Sequence, residues 1–495
     1  MSLTVEVSLI SGKTVSLESH LTESVESLQL RARRALGVGK GRMLTSTGGI
    51  LHEKASVKEA RLRNREALAL HVGSVQICSG EKAFAAILGD GSIVTWGSVV
   101  SGGKSSPVHD QLKNVQQIQS NGDAFAAILH DGSVVTWGGA WAGGDSSAVQ
   151  GQLKKVLRMQ ATHQAFAAIL LDGSVVSWGC FWVGGDSSQV RDQLKDVQHV
   201  HATLQAFAAI LGDGSVVSWG HAGSGGDSSA VQEQLRNVQQ ISATGHAFAA
   251  ILADRSVVTW GAANCGGNSS AVQHRLKKVQ QIRANRHAFA AILDDGSVVT
   301  WGNAACGGDS SEVQDQLKTV QQIQSTAPSQ EPGQAFCQAF AAIRHDGSVV
   351  TWGSAWCGGD SSAVQSQLVN VQQIQATGGA FAAVLGDGSV VSWGAADLGG
   401  DSSAVQDRLQ NVQEVQATYQ AFAAILGDGS VVAWGRAGLG GDSSAVQDQL
   451  KNVRHIQANR QAFAAILDDG SVVTWGLASF GGDSTAVQDQ LNNSW

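Results

Sequence analysis

The sequence predicts a mainly β chain, in which ten three-stranded units are arranged radially behind a small α+β domain. Three observations predict it. A phrase close to Phe-Ala-Ala-Ile-Leu-x-Asp-Gly-Ser-Val-Val-Thr-Trp-Gly recurs ten times, with tryptophans at Trp96, Trp137, Trp178, Trp219, Trp260, Trp301, Trp352, Trp393, Trp434 and Trp475. Their spacing is 41 residues, except for a step of 51 between Trp301 and Trp352. A fixed period of this size marks supersecondary units that are each too small to bury an apolar face alone and so stack. Within every copy but the fifth, which has Asp254-Arg255, apolar runs of strand length are cut by Asp-Gly, a strong hairpin signal. Residues 1–72 lack the repeat and carry the opposite charge, 11 Lys/Arg against 7 Asp/Glu, whereas residues 73–495 hold 22 against 34.

The first domain is expected over residues 1–72. Leu3 to Leu9 alternates apolar and polar residues, Ser11-Gly12-Lys13 turns the chain, and Thr14 to Leu17 alternates again, which reads as a hairpin. Thr22 can cap a helix carrying Val25, Leu28, Ala32 and Leu36, and Gly37 can end it. Met43-Leu44, Ile50-Leu51 and Ala67 to Val72 supply further short strands. This order, with the first hairpin and the final Leu68-Ala69-Leu70, resembles ubiquitin. The resemblance implies an apolar recognition patch at Ile10, Leu44 and His71, with histidine in place of an aliphatic residue. Conjugation is not implied, because Val72-Gly73-Ser74-Val75 runs straight into the repeats where ubiquitin ends in a free di-glycine.

The unit from Val371 to Asn411 shows the parts of residues 73–495. Val371–Ala376, Ala380–Leu385 and Ser389–Trp393 read as three strands. Asp387-Gly388 between the last two suggests a two-residue type I′ turn. The middle strand is apolar on both faces, so it must lie between neighbouring sheets. Its alanines allow close approach while Phe381 and Trp393 fill wider space, and the Trp-Gly tryptophans are therefore expected to be buried between units. The segment from Gly399 to Leu409 fits either a helical turn or a short outer strand. The repeated phrase, preceded by Val-Gln-x-Ile and followed by Gly-Gly, resembles the regulator of chromosome condensation repeat. The short period is most similar to the β-lactamase inhibitory protein II form of that β-propeller. Such propellers usually close seven blades, so ten units leave open a wide ring, an open spiral or two sub-arrays.

Copies differ mainly in two windows: the pair before the middle strand, and the four residues after Trp-Gly. Alternating strand directions put both windows on one rim and the Asp-Gly turns on the other. The variable rim carries Trp141, Phe181, Trp182, Trp356, Tyr419 and Phe480, with Arg286 and Arg460. Aromatic residues and arginine on loops of a rigid scaffold are common anchors of protein interfaces. The ten extra residues near Ala327–Phe336 fall on the same rim.

Other chemistry is poorly supported. An acidic array is a poor phosphate binder, which argues against direct nucleic-acid contact. No apolar run suits a membrane helix and the N-terminus lacks a signal-peptide pattern, so a cytoplasmic protein is expected, with the nucleus as the alternative. The turn aspartates are explained by turn chemistry. Gly-Gly-Asp-Ser-Ser lacks the lysine of a phosphate loop. Cys265, Cys306 and Cys357 share one position in consecutive units, too far apart for common metal ligation. The sequence points to a non-enzymatic scaffold or adaptor without cofactor or metal, binding a protein such as a ubiquitin-pathway component. The alternative, which the repeat resemblance permits, is a regulator of an enzyme, either an exchange factor for a small GTPase or a protein inhibitor; exchange in the resembled family depends on a projecting wedge, and only the 327–336 insertion could play that part.

Overall fold

Strand alternation near the N-terminus buries Leu3, Val5 and Val7 on one face of β1 (Ser2–Ser8). In the computed structural model, which describes residues 2–491 apart from 10–11, 37, 39–40, 47, 53, 72 and 328–337, β1 pairs antiparallel with β2 (Thr14–His20). It also pairs in parallel with β4 (Glu66–His71), and β3 (Arg42–Thr45) completes the order β2-β1-β4-β3. The helix α1 (Val25–Leu36) lays Val25, Leu28, Ala32 and Leu36 onto Met43, Leu68 and Leu70. Ile50 contributes a single bridge to Leu44 rather than a strand. A four-stranded mixed sheet with one helix packed on it is a β-grasp arrangement.

Each of the ten units is a three-stranded antiparallel sheet. In unit eight the strands are Val371–Ala376, Ala380–Leu385 and Val390–Gly394. The segment beyond them forms 3-10 turns, Ala396–Leu398 and Ser403–Arg408 in unit nine's approach, and no outer strand. First strands contact first strands around the whole array, including unit ten against unit one, so they are the innermost.

Seams between units follow from the two-faced middle strand. Ala339, Ala341 and Ile343 of unit seven pack on Phe381, Ala383 and Trp393 of unit eight. Trp393 stacks on Phe381 with ring centroids 5.3 Å apart and donates its Nε1–H to Gly358 O of the preceding unit at 3.0 Å. Trp137, Trp219 and Trp393 are all nearly inaccessible, at 3%, 4% and 4% exposure. The Gly-Gly pair is required here: a Cβ on Gly358 would lie 2.8 Å from the Phe381 ring. Unit ten meets unit one by the same contacts, with Trp96 Nε1 donating to Gly481 O at 3.0 Å and Phe84 packing against Ala462 and Ala464. The array is therefore a ten-bladed propeller whose last blade packs on its first.

The Asp-Gly turns differ from the two-residue type I′ expectation. Ser133 O accepts from Leu129 N and Leu129 O accepts from Gly132 N, both at 2.9 Å, so the loop has three residues. Only Gly132 has positive φ, at 78°, and Asp131 does not. The turn is type I followed by a left-handed glycine, the three-residue hairpin in which one residue alone needs φ > 0. Unit five places Arg255 at that position with φ 65°.

Candidate binding face

A threonine or asparagine just after each complete first strand ties the two variable windows together. Thr377 Oγ1 accepts from Ala380 N at 3.0 Å and donates to Leu398 O at 2.9 Å. Asn285 does the same work with two atoms: Oδ1 accepts from Ala288 N at 2.8 Å and Nδ2 donates to Cys306 O at 2.7 Å. The bond from Ala395 N to Gly379 O, at 2.8 Å, joins the windows directly. Both therefore emerge on one rim, opposite the Asp-Gly turns.

The outer window is a 3-10 turn whose three residues have different fates. The third points into the seam, as Ala142, Val183, Cys265 and Leu398 do. The first two face solvent. Trp141 is 54% exposed, Phe181 59%, Trp182 67% and Trp356 46%. Phe181 and Trp182 lie 4.3 Å apart between centroids. Phe480 occupies the third position and is half-buried against Phe84 and Trp96 of unit one, so its place on the exposed face is corrected. Val99 and Val100, at the first two positions of unit one, are exposed and were missed, although Ser-Val-Val-Ser stands in the same window. Exposed apolar side chains thus run across consecutive units one, two and three.

The inner window forms the mouth of a central channel. Backbone bonds pass from unit to unit around it: Gly122 N to His163 O, His163 N to Leu204 O, Leu204 N to Gly245 O, and Gly245 N to Arg286 O. On the other side they run from Gly378 N to Tyr419 O, Tyr419 N to Arg460 O, and Arg460 N to Glu81 O. Side chains lean over glycines of the preceding unit. A Cβ on Gly378 would lie 2.0 Å from Tyr419 Cε2, and Arg460 covers the same ring with its Cζ 5.5 Å from the centroid. Tyr419 is therefore buried, at 5% exposure, and is corrected from partner anchor to packing residue. Arg286 and Arg460 are half-buried and line the mouth, a cavity of about 800 Å³ to which all ten units contribute.

A polar cluster spans units four and five. Ser224 Oγ donates to Gln205 Oε1 at 3.0 Å and lies 3.2 Å from His221 Nδ1 and 3.1 Å from His246 Nδ1. With its proton on Gln205, the hydroxyl accepts from both Nδ1–H groups. Burial pushes the His246 pKa down, and Arg286, His287 and His221 add to the effect. Ser224 is 2% exposed and its hydrogen-bond acceptor is an amide, so the cluster is a packing network rather than an activated nucleophile.

Asp131 Oδ1 accepts from Ser133 N at 2.9 Å and Ser133 Oγ at 2.6 Å, and these bonds hold its carboxyl below the ordinary range. Cys265, Cys306 and Cys357 are buried in separate seams, and no group of three His, Cys, Asp or Glu side chains suits a metal among the described residues. Leu44 and His71 lie on the sheet face opposite the helix, while Ile10 and most of the 327–336 insertion lie outside the described residues. Arg42, paired with His71, donates from Nε to Asp90 O of unit one at 2.8 Å. No described helix is long and apolar enough to cross a membrane.

No family model and no curated protein matches the sequence. Among solved structures, the chain is similar to yeast RCC1 (Prp20) bound to Kap60, at 15% identity over 71% of this chain and 89% of that one, TM-score 0.34. It is similar to Prp20p of Saccharomyces cerevisiae, in a structure titled for binding to Gsp1p and histones, at 14% identity over 57% and 82%, TM-score 0.31. A designed protein based on ubiquitin matches 14% of this chain and 85% of its own at 20% identity, TM-score 0.13. The propeller assignment rests on the sheets and seams themselves.

Proposed function

We propose that the chain is a non-catalytic protein-interaction scaffold, built from modules 1–72 and 73–495, whose partner docks on the variable rim. The observation that carries the reading is the exposed set Val99, Val100, Trp141, Phe181 and Trp182 on three consecutive units. Large apolar side chains gathered on a solvent face mark interaction sites, and tryptophan is the most frequent anchor of such interfaces. The β-grasp module favours an adaptor of the ubiquitin pathway, acting in the cytoplasm or nucleus. Capture of proteins by immobilised full-length chain, compared with Trp141→Ala/Trp182→Ala, tests it. Specific partners should be lost from the tryptophan variant and retained by Asp131→Asn/Asp213→Asn on the opposite rim. Identical capture by all three proteins refutes the rim as the docking surface.

A further inference from the structure

The entry to unit three, on the Asp-Gly rim, departs from the repeat in several residues at once, and the departures run the same way. The residue after the first valine of the first strand is glutamine in seven units and Leu157 here. The next is glutamine in six units and Arg158 here. The asparagine that five units place just before the strand is Lys155. The hairpin loop opens with glycine, alanine, histidine or aspartate elsewhere, but with Leu171 in unit three. Polar and acidic residues are thus replaced by leucine and by positive charge.

Local geometry gathers these residues into one patch. Val156 N donates to Gly132 O at 2.8 Å and Leu171 N to Lys155 O at 3.0 Å, which ties the strand entry to the preceding turn and to its own. A bulge between Val156 and Arg158 leaves Leu157 and Arg158 both exposed. In other units the side chains at the registers of Leu157 and Leu171 meet: Gln321 Nε2 lies 2.6 Å from His345 Nδ1, and Arg454 pairs with Asp468. Unit three puts leucine at both registers, 52% and 61% exposed. Exposed Lys154 and Lys155 stand beside them. Glu233 pairs with Arg236, and Asp315 with Lys318, three residues on; before Lys154 that place is taken by Gly151. The neighbouring turn carboxylates, Asp131 and Asp172, accept from Ser133 and Ser174.

We propose that this patch docks an acidic amphipathic segment of a partner protein, whose apolar side chains cover Leu157 and Leu171 and whose carboxylates meet Lys154, Lys155 and Arg158. Leucine surface at these registers is unfavourable in water unless covered, and the cations beside it select an acidic sequence to cover it. A membrane surface or a nucleic-acid duplex fits less well. Either would lie across several units and meet the aspartate that stands in every turn of this rim, whereas a short segment stays within one unit. The patch lies on the rim opposite Trp141 and Trp182 and is independent of that surface.

The test is fluorescence anisotropy of a labelled peptide of repeating Glu-Glu-Leu-Leu with the full chain, against Gln-Gln-Leu-Leu and Glu-Glu-Ser-Ser controls. The first should bind, with affinity falling as salt is added, and each control should bind about tenfold more weakly. Leu157→Gln/Leu171→Gly and Gly151→Asp/Arg158→Gln restore residues that other units carry, and a Cβ on Gly151 meets nothing within 4 Å, so both variants should keep the native melting midpoint. Each should weaken binding about tenfold, the first through lost apolar cover and the second through lost charge. Lys318→Gln, at the entry to unit seven, and Trp141→Ala/Trp182→Ala should leave binding unchanged, which separates the patch from the opposite rim. Three results overturn the proposal: no binding of the Glu-Glu-Leu-Leu peptide, binding as tight by a control peptide or by the two restored variants, or binding of phosphatidylserine vesicles or duplex DNA that those variants abolish.

Discussion

Trp182 and Trp219 serve the same loop from two sides and should respond oppositely to truncation. Trp219 is 4% exposed, stacks on Phe207 with centroids 5.1 Å apart, and donates Nε1–H at 3.1 Å to Gly184 O, two residues beyond Trp182. Alanine there empties part of a seam, at about 3–5 kcal/mol, and leaves Gly184 O without its donor, at about 1 kcal/mol more. Trp182 is 67% exposed. Only a third or so of its roughly 250 Å² is covered, so truncation costs at most about 2 kcal/mol at about 25 cal/mol per Å². Partner capture should reverse the order, because a centrally buried anchor contributes on the order of 2 kcal/mol, roughly thirtyfold in affinity. Urea denaturation followed by circular dichroism gives the first ranking, and capture by immobilised protein gives the second. If Trp182→Ala destabilises as much as Trp219→Ala, the exposed ring is a packing element and the docking argument fails.

Three further outcomes follow from the units' own geometry. Arg255→Gly relieves a left-handed side chain at about 1–2 kcal/mol but removes the Arg255 to Asp294 pair, whose side chains are 56% and 33% exposed. The gain should stay below about 1 kcal/mol in the native background and increase with Asp294→Asn, since the lost pair no longer offsets it; destabilisation in that second background sinks the turn assignment. Thr319 sits at φ 57° where five other units use Asn114, Asn237, Asn370, Asn411 or Asn452, so Thr319→Asn should raise the denaturation midpoint by about 1 kcal/mol equivalent. No rise would mean that Thr319 is unstrained. Burial, aided by His199, pushes His201 down from 6.5 to about 4, so the folded state binds its proton less readily than the unfolded one. That term costs nothing above pH 6.5 and erodes stability as pH falls from 6.5 to 4, by at most about 3 kcal/mol. His201→Gln, the residue six other units carry at this position, should flatten the stability profile across that window, and an unchanged slope refutes the assignment.

Strand placement was legible because period-two burial and internal repetition point the same way. In unit eight the expected strands differ from the observed ones by a residue at the third strand. The turn type was not legible, since Asp-Gly suits both type I′ and type I with a left-handed glycine, and only the bond from Leu129 N to Ser133 O separates them. Tyr419 and Phe480 were misplaced for a related reason. Within a copy each is an aromatic in a variable loop; its burial is decided by the next or preceding unit, through Gly378 in one case and Phe84 with Trp96 in the other. Closure at ten was likewise invisible, because a repeat length carries no wedge angle.

The two variable windows vary for different physical causes, and the distinction decides where function should be sought. At the inner ring the chain is tied by backbone bonds and side chains interlock: Gly122 admits His163, Gly245 admits Arg286, and Gly378 admits Tyr419. At these three contacts a large residue takes the space that a glycine of the unit before leaves open, so part of the variation is steric compensation between neighbouring units. The first two positions of the outer turn point their side chains largely into solvent, although Trp356 also reaches toward Gly379 of the next unit. Trp141 and Trp182 are more than half exposed there, and exposed ring surface is unfavourable in water unless something covers it. The outer arc of units one to three therefore carries the stronger argument for selection by a partner.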